Sequence, residues 1–218
     1  MKENAANNTT ELVFILDRSG SMCGYEGDTV GGFNATLARE KERKGEAYVT
    51  TVLFSDRSTR LHDRLPIASV KPLSVEDYRV GGCTALLDAV GEAVRHIGNI
   101  HKYARPEDVP AHTLFVISTD GLENASRHFT RKQVQEMIER QKSRYGWEFI
   151  FLGAGIDAVA EAESIGIAPE RAASYRQDKR GIARSYEAIS CAVEMMRCDS
   201  EIAGCWSDGL RAEEEDGE

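Results

Sequence analysis

The apolar positions of the chain form short uninterrupted runs that alternate with longer segments of helical periodicity. Residues 12–16 are all apolar, which is typical of a strand covered on both faces, as in a parallel sheet. Segments in which apolar residues recur every three or four positions predict helices. The predicted strands are 11–17, 46–55, 58–65, 112–118, 147–152 and 172–175, and the predicted helices are 29–43, 85–103, 130–144, 156–165 and 179–198.

This alternation of strands and helices predicts the α/β fold class, with a mostly parallel sheet wound on both faces by helices. The polar turn at 55–58 separates two strands and predicts a hairpin, which places an antiparallel strand at one sheet edge. We expect one domain at 11–198, a flexible N-terminus at 1–10, and an acidic, disordered C-terminal tail at 199–218.

The first predicted strand ends in a cluster of oxygen side chains, Asp17, Ser19 and Ser21, on a tight loop. Such oxygens suit Mg²⁺, which is a hard cation that prefers about six oxygen ligands. Neither a thiolate nor an imidazole, the ligands that favour zinc or copper, lies between Asp17 and Met22. Asp and Ser also make ordinary turns, so this string alone is a modest signal.

Two later segments supply further candidate ligands. Thr84 follows a glycine pair and stands at the start of a predicted helix, where it is equally compatible with a simple N-cap. Asp120 follows the strand 112–118 and precedes Gly121, which repeats the design of the first strand but also fits a plain turn. The order of the three segments along one chain favours a common site.

With these residues in this order, the chain resembles the von Willebrand factor A family, in its stand-alone bacterial form. The metal-ion-dependent adhesion site of that family consists of D-x-S-x-S, a Thr in a second loop and a D-G in a third. The matching residues fill all five positions, and the resemblance covers 11–198: Asp17, Ser19, Ser21, Thr84 and Asp120.

The resemblance implies a Rossmann-like sheet with strand order 3-2-1-4-5-6, in which strand 3 is antiparallel. It also implies that the Ser19, Ser21 and Thr84 hydroxyls bind Mg²⁺ or Mn²⁺ directly, while Asp17 and Asp120 act largely through bound waters. The remaining coordination position would receive an Asp or Glu of a protein partner. In an open sheet of this order, the crevice lies between the strand ends that carry Asp17 and Asp120.

Two other patterns offer alternatives to this interpretation. The strand that ends in Asp17 also resembles that of haloacid-dehalogenase phosphatases, which would make the protein a metal-dependent phosphohydrolase. That family needs a second Asp two positions later as general acid, and this chain has Ser19 there. Residues 153–158 fit the dinucleotide pattern G-x-G-x-x-A, but a late strand precedes them, which favours a tight strand-to-helix turn.

Composition and charge narrow the function further. The net charge is −9, and five of the negative charges lie at 213–218, so no basic face for nucleic acid is expected. No apolar run approaches the roughly 18 to 20 residues that span a bilayer, and residues 1–10 lack the apolar core of a signal peptide. We therefore expect a cytoplasmic, monomeric, non-enzymatic protein-binding module.

The cysteines point to no structural crosslink. Their number is five, without C-x-x-C spacing, which argues against both a disulfide framework and a structural zinc site. Cys23 and Cys83 flank two of the predicted metal loops, so a redox-sensitive linkage between them is a hypothesis, with two unrelated reduced thiols as the alternative.

Overall fold

The computed structural model describes residues 9–198 and 201–215 of the chain. It contains a six-stranded sheet flanked by α-helices, with several short 3-10 turns between them. The strands are β1 (Thr10–Asp17), β2 (Ala47–Phe54), β3 (Ser58–Pro66), β4 (His112–Thr119), β5 (Glu148–Ala154) and β6 (Ala172–Tyr175). The helices are α1 (Glu26–Lys41), α2 (Leu86–Tyr103), α3 (Arg131–Tyr145), α4 (Ala158–Ser164), α5 (Lys179–Arg197) and α6 (Asp208–Glu215).

The sheet has the strand order β3-β2-β1-β4-β5-β6. All neighbouring strands pair in parallel except β2 and β3, which are antiparallel and joined by the turn at 55–58. This confirms the predicted fold class, strand order and edge hairpin. Because β1, β4, β5 and β6 run in the same direction, their carboxyl ends lie along one edge of the sheet.

The central strand β1 contributes side chains to two hydrophobic cores, one on each face of the sheet. Leu12, Phe14 and Leu16 belong to the core that α1, α5 and α6 cover, whereas Val13 and Ile15 belong to the core under α2, α3 and α4. All five side chains are at most 1% exposed. Coverage on both faces is the physical reason that this strand is uniformly apolar instead of alternating.

The predicted element boundaries are accurate to within a few residues, and the largest shift is at the start of α1. This helix begins at Glu26 instead of residue 29, after Tyr25, which has no side-chain cap. The acidic residues in its first turn favour this start because they interact well with the positive end of the helix dipole. By contrast, α3 begins within one residue of its prediction, where Thr130 and Gln133 form a reciprocal capping box.

The C-terminal segment differs from the predicted disordered tail. Residues 199–200 and 216–218 lie outside the described residues, but between them a 3-10 turn leads into α6. Ile202, Trp206 and Leu210 are each only 2% exposed and belong to the core over α5. All three apolar side chains pack into this core, so their burial outweighs the acidic character of the sequence that follows.

The N-terminal prediction can be compared only at its last two positions. Residues 1–8 lie outside the described residues, whereas Thr9 and Thr10 are buried and Thr10 begins β1.

A helix that crosses a bilayer needs a long apolar stretch, and none of the helices in the described residues has one.

A buried ion pair joins α1 to the end of α5. The side chains of Arg197 and Glu40 are 3% and 1% exposed, and Arg197 Nη1 lies 3.0 Å from Glu40 Oε2. The guanidinium also donates to the backbone oxygens of Glu40, Lys44 and Gly45. One side chain therefore satisfies a carbonyl in the last turn of α1 and two more in the loop that follows.

We predict that Arg197→Met destabilises the protein by about 3 kcal/mol, the lower end for a broken buried pair, because Glu40 Oε2 and three backbone carbonyls lose their donor while Arg43 keeps its pair with Glu40 Oε1. Urea denaturation measures this change. The matched control is Lys132→Ala, which breaks the exposed pair between Lys132 and Glu136 and should cost less than about 1 kcal/mol. Equal effects of the two substitutions would contradict the structural role of Arg197.

Candidate metal centre

Three loops meet at the carboxyl edge of the sheet, where the sequence predicts the metal site. The first follows β1 and carries Asp17, Ser19 and Ser21; the second precedes α2 and carries Thr84; the third follows β4 and carries Asp120. Strands β1 and β4 are neighbours in the sheet, and Leu16 pairs with Ser118. The register thus brings residues a hundred positions apart to the same place.

The first loop folds around the carboxylate of Asp17. The backbone N–H of Ser19 donates to Asp17 Oδ1 over 2.7 Å, and the hydroxyl oxygens of Ser19 and Ser21 lie 3.0 Å apart. A 3-10 turn at Gly20–Met22 places the two serine side chains on the same side. The D-x-S-x-S spacing therefore gathers one carboxylate and two hydroxyls within a single turn.

Hydrogen bonds to two carboxylates, Asp120 in the third loop and Asp17 in the first, join these two loops. Ser21 Oγ donates to Asp120 Oδ1 over 2.7 Å, and Ser19 Oγ lies 3.5 Å from the same oxygen. Thr119, the last residue of β4, donates its hydroxyl to Asp17 Oδ2 over 2.6 Å. Four of the five predicted ligands are thus joined directly in one hydrogen-bonded cluster.

Thr84 approaches the cluster from the second loop. Its backbone N–H donates to Asn124 Oδ1 over 2.9 Å, and the N–H of Asn124 donates back to the Thr84 carbonyl over 3.0 Å. A Cβ added to Gly121 would lie 3.0 Å from Thr84 Oγ1 and 3.8 Å from Ser21 Oγ. The absence of a side chain at Gly121 thus lets the Thr84 hydroxyl approach the other ligands.

The second loop is held in place from two sides. Gly20 N donates to Gly82 O over 3.0 Å, which joins it to the first loop. The carboxylate of Asp56, in the β2–β3 turn, accepts a hydrogen bond from Cys83 N over 3.0 Å. Cys23 and Cys83 are both exposed free thiols. A redox-sensitive linkage between them stays a hypothesis.

Two further carboxylates fix the third loop to the start of α2. Glu123 accepts from the backbone N–H groups of Leu87, Ala125 and Ser126. Asp88 accepts from the backbone of 127–129, and these hydrogen bonds keep the pKa of its carboxyl below the usual value despite desolvation. Each carboxylate accepts three backbone N–H groups, and these hydrogen bonds fix the shape of the loop.

The two acids of the cluster are buried next to each other. Asp17 is 2% exposed and Asp120 is 7% exposed. Burial raises the pKa of Asp17, although hydrogen bonds from Thr119 and Ser19 oppose the rise. Burial also raises the pKa of Asp120, to about 6; the Ser21 hydrogen bond lowers it and the charge of Asp17 adds to the rise. Neutral donors surround both groups, and in the described residues neither carboxylate forms an ion pair.

This donor set fits a hard divalent cation. It consists only of oxygens, two from buried carboxylates and three from hydroxyls. Oxygen ligands suit Mg²⁺ or Mn²⁺, whereas zinc and copper sites favour nitrogen and sulfur ligands. A bound cation would also compensate the two adjacent negative charges. The described residues contain no cluster of three or more His, Cys, Asp or Glu side chains that could hold a metal. The proposed set differs from such a cluster because three of its five ligands are hydroxyls.

Sequence reasoning missed three residues that contact the cluster. Thr119 and Asn124 lie in or beside the third loop, within four residues of Asp120, and proximity to the D-G pair was the available signal. Gln177 follows β6 and has no motif around it, yet its Nε2 lies 2.6 Å from Asp120 Oδ2 and 3.0 Å from the Ser21 carbonyl oxygen. Only the tertiary structure places it there.

The G-x-G-x-x-A pattern forms the turn from β5 into α4. Gly155 adopts a left-handed conformation, with φ of +63°, and the side chain of Asp157 caps the helix by accepting from Ala160 N over 3.0 Å. A tight strand-to-helix turn therefore accounts for these residues.

Comparison with known proteins gives matches in structure and none in sequence. No family model and no curated protein matches the sequence. Proximal thread matrix protein 1 from the mussel byssus is 16% identical, with a TM-score of 0.57 over 84% of this chain and 45% of that chain. It has also been solved with a zinc-occupied MIDAS motif, the metal-ion-dependent adhesion site.

Two prokaryotic structures are similar to the same extent. A von Willebrand factor type A protein from Catenulispora acidiphila is 14% identical, with a TM-score of 0.58 over 84% of this chain and 42% of that chain. The ArnB paralog VWA2 from Sulfolobus acidocaldarius is 14% identical, with a TM-score of 0.54 over 85% and 45% of the two chains. This chain spans less than half the length of these solved chains. It has the fold of the von Willebrand factor A domains that its sequence resembles.

Proposed function

We propose that the protein is a metal-dependent protein-binding module, in which a divalent cation at this cluster binds an acidic side chain of a partner. The observation that carries the proposal is the convergence of two buried carboxylates and three hydroxyls at the crevice between β1 and β4. The proposed ligands are Asp17, Ser19, Ser21, Thr84 and Asp120, with Mg²⁺ or Mn²⁺ as the cation. The zinc-occupied motif of the mussel protein supports this use of the fold.

The surroundings of the cluster agree with recognition of an acid. A cation held by neutral hydroxyls and two carboxylates that act largely through water keeps positive character, which attracts an Asp or Glu side chain. Leu122, two residues after Asp120, is 57% exposed and offers an apolar contact beside the cation site. We infer a protein partner that presents an acidic residue next to an apolar one.

The alternative, a haloacid-dehalogenase-like phosphohydrolase, requires Asp17 as a nucleophile that reaches a substrate. Asp17 is 2% exposed, and its two carboxylate oxygens accept hydrogen bonds from Ser19 N and Thr119 Oγ1. A carboxylate in this setting orients a loop instead of attacking a phosphorus atom. The position of the expected general acid is held by Ser19, and His62 and His101 contact Thr51 and Glu11, away from the cluster. We therefore favour a non-enzymatic role.

The proposal also covers the oligomeric state of the protein, its location in the cell and the ligand classes that it does not bind. We expect it to act as a monomer in the cytoplasm and to bind neither nucleic acid nor a membrane surface. The net charge of −9 supports the first of these exclusions, because contact with phosphate groups relies on clustered basic side chains.

We predict that Ser21→Ala abolishes specific binding of Mg²⁺ and Mn²⁺, because it removes a direct ligand and the hydroxyl that orients Asp120. Isothermal titration calorimetry measures the affinity. Ser58→Ala is the matched control, since the Ser58 hydroxyl contacts Glu92 away from the cluster, and it should bind metal as the wild type does. Unchanged affinity in Ser21→Ala would refute the assignment.

A second prediction concerns the stability of the metal-free protein. The pKa of Asp120 is higher in the folded state than in an unfolded chain, so folding favours its protonated form and loses stability as the pH rises from about 4 through about 6. In chelator at pH 7.5, Asp120→Asn should therefore melt a few degrees above the wild type.

The difference in melting temperature between these two proteins should shrink at pH 5, where Asp120 is largely protonated. Comparing the variant with the wild type cancels the contribution of His62, whose lowered pKa acts in the opposite direction over this range. Excess Mg²⁺ should raise the melting temperature of the wild type only. A variant less stable than the wild type in chelator at pH 7.5 would contradict the prediction.

A third prediction tests recognition. Immobilised protein should capture a partner from lysate of the source cell in Mg²⁺ and release it in chelator, because the cation forms part of the contact. Leu122→Ala should weaken capture while the calorimetric metal affinity stays unchanged, whereas Ser21→Ala should lose both. Capture that is insensitive to chelator would place the partner elsewhere on the surface.

A further inference from the structure

Gln177 lies in the connection between β6 and α5, and its backbone is fixed on both sides. Tyr25, at the start of α1, donates its hydroxyl to the Gln177 carbonyl oxygen over 2.8 Å. The next residue, Asp178, caps α5 by accepting from Gly181 N over 2.7 Å. The side chain of Gln177 thus starts from a well-defined position at the carboxyl edge of the sheet.

From this position the side chain must pass over the end of β5 to reach the cluster. Strand β6 is two positions from β4 in the sheet, and neighbouring strands lie about 4.8 Å apart. The end of β5 carries only small residues, Gly153, Ala154 and then Gly155. A Cβ added to Gly155 would lie 3.9 Å from Gln177 Oε1, which shows that the side chain runs beside this glycine.

The amide of Gln177 connects the first and third metal loops. Its Nε2 donates to Asp120 Oδ2 over 2.6 Å and to the Ser21 carbonyl oxygen over 3.0 Å. An amide nitrogen has two hydrogens, and these two contacts use both. Since Asp120 Oδ1 accepts from Ser21 Oγ, each oxygen of this carboxylate has a neutral donor and its orientation is fixed.

We propose that Gln177 is a positioning residue of the metal centre, which orients Asp120 with a donor that carries no charge. This inference rests on the function proposed above. Carboxylates that serve a metal site are themselves held by hydrogen bonds, and loss of such a partner typically lowers metal affinity 10–100-fold. A lysine would hold Asp120 equally well, but its positive charge would repel the divalent cation.

The experiment compares Mn²⁺ affinity by calorimetry and electron paramagnetic resonance in the wild type, Gln177→Met and Gln177→Lys. Gln177→Met keeps the length of the side chain and removes the donor, so affinity should fall about 10–100-fold. Gln177→Lys should bind more weakly still. The matched control is Arg176→Ala, since exposed Arg176 pairs with Asp178; it should bind as the wild type does.

Melting in chelator separates positioning from a merely structural role. Gln177→Lys should melt above the wild type, because its ammonium pairs with the buried Asp120, even though its Mn²⁺ affinity is lower. Opposite changes in stability and affinity are not expected of a side chain that only packs. If Gln177→Met fails to fold, Gln177→Asn, which retains the amide on a shorter side chain, should show the weakened affinity.

The outcomes distinguish this inference from the proposed function. A wild type that binds Mn²⁺ and a Gln177→Met variant within twofold of it would overturn the inference and leave the metal centre intact. Equal losses in the Met and Lys variants would overturn the requirement for a neutral donor. A wild type without Mn²⁺ affinity would overturn the metal centre itself, and this inference with it.

Discussion

The meeting of two carboxylates at the ends of neighbouring parallel strands is the constraint on which the rest of the site depends. Asp17 and Asp120 are both buried, and burial of two adjacent acids is costly unless hydrogen bonds or a cation compensate their charge. The donors that surround them in the structure are neutral: the Ser19 backbone, hydroxyls and the Gln177 amide. Neutral donors fix the orientation of the acids while leaving their charge available to a cation.

Most of the fold was predictable because its determinants are local patterns. The uniform apolar run of β1 reflects two covered faces, and the structure places Phe14 and Ile15 in different cores. Element ends were predictable where a side chain marks them, as Thr130 does for α3, and less so where none does, as at Tyr25. The C-terminal segment was misjudged because the acidic residues that follow it obscured three apolar positions spaced by four, of which Trp206 is the largest.

The site was predictable to the extent that its residues lie in motifs with fixed spacing. The structure places Ser19, Ser21 and Asp120 in direct contact, although metal binding itself remains a proposal. The supporting residues were not predictable in the same way. In the sequence, Thr119 is only the last residue of a predicted strand, and the structure is needed to show that its hydroxyl contacts Asp17. Gln177 is only a loop residue in the sequence, and the strand order is needed to place it near the site. Their roles come from tertiary placement, which sequence spacing does not encode.

The small residues at the end of β5 and just after it belong both to a sequence motif and to a tertiary contact. On sequence alone, the glycines at 153 and 155 fit either a nucleotide-binding pattern or a tight turn, and both interpretations treat them as features of their own strand. In the structure Gly155 also lies beside the side chain of Gln177, which follows β6 and reaches Asp120. A Cβ on Gly153 would approach Ala158 and Ile156 to 2.8 Å, so this glycine is needed for packing in any case. Because the turn already requires small residues, the reach of Gln177 adds little further constraint to the sequence.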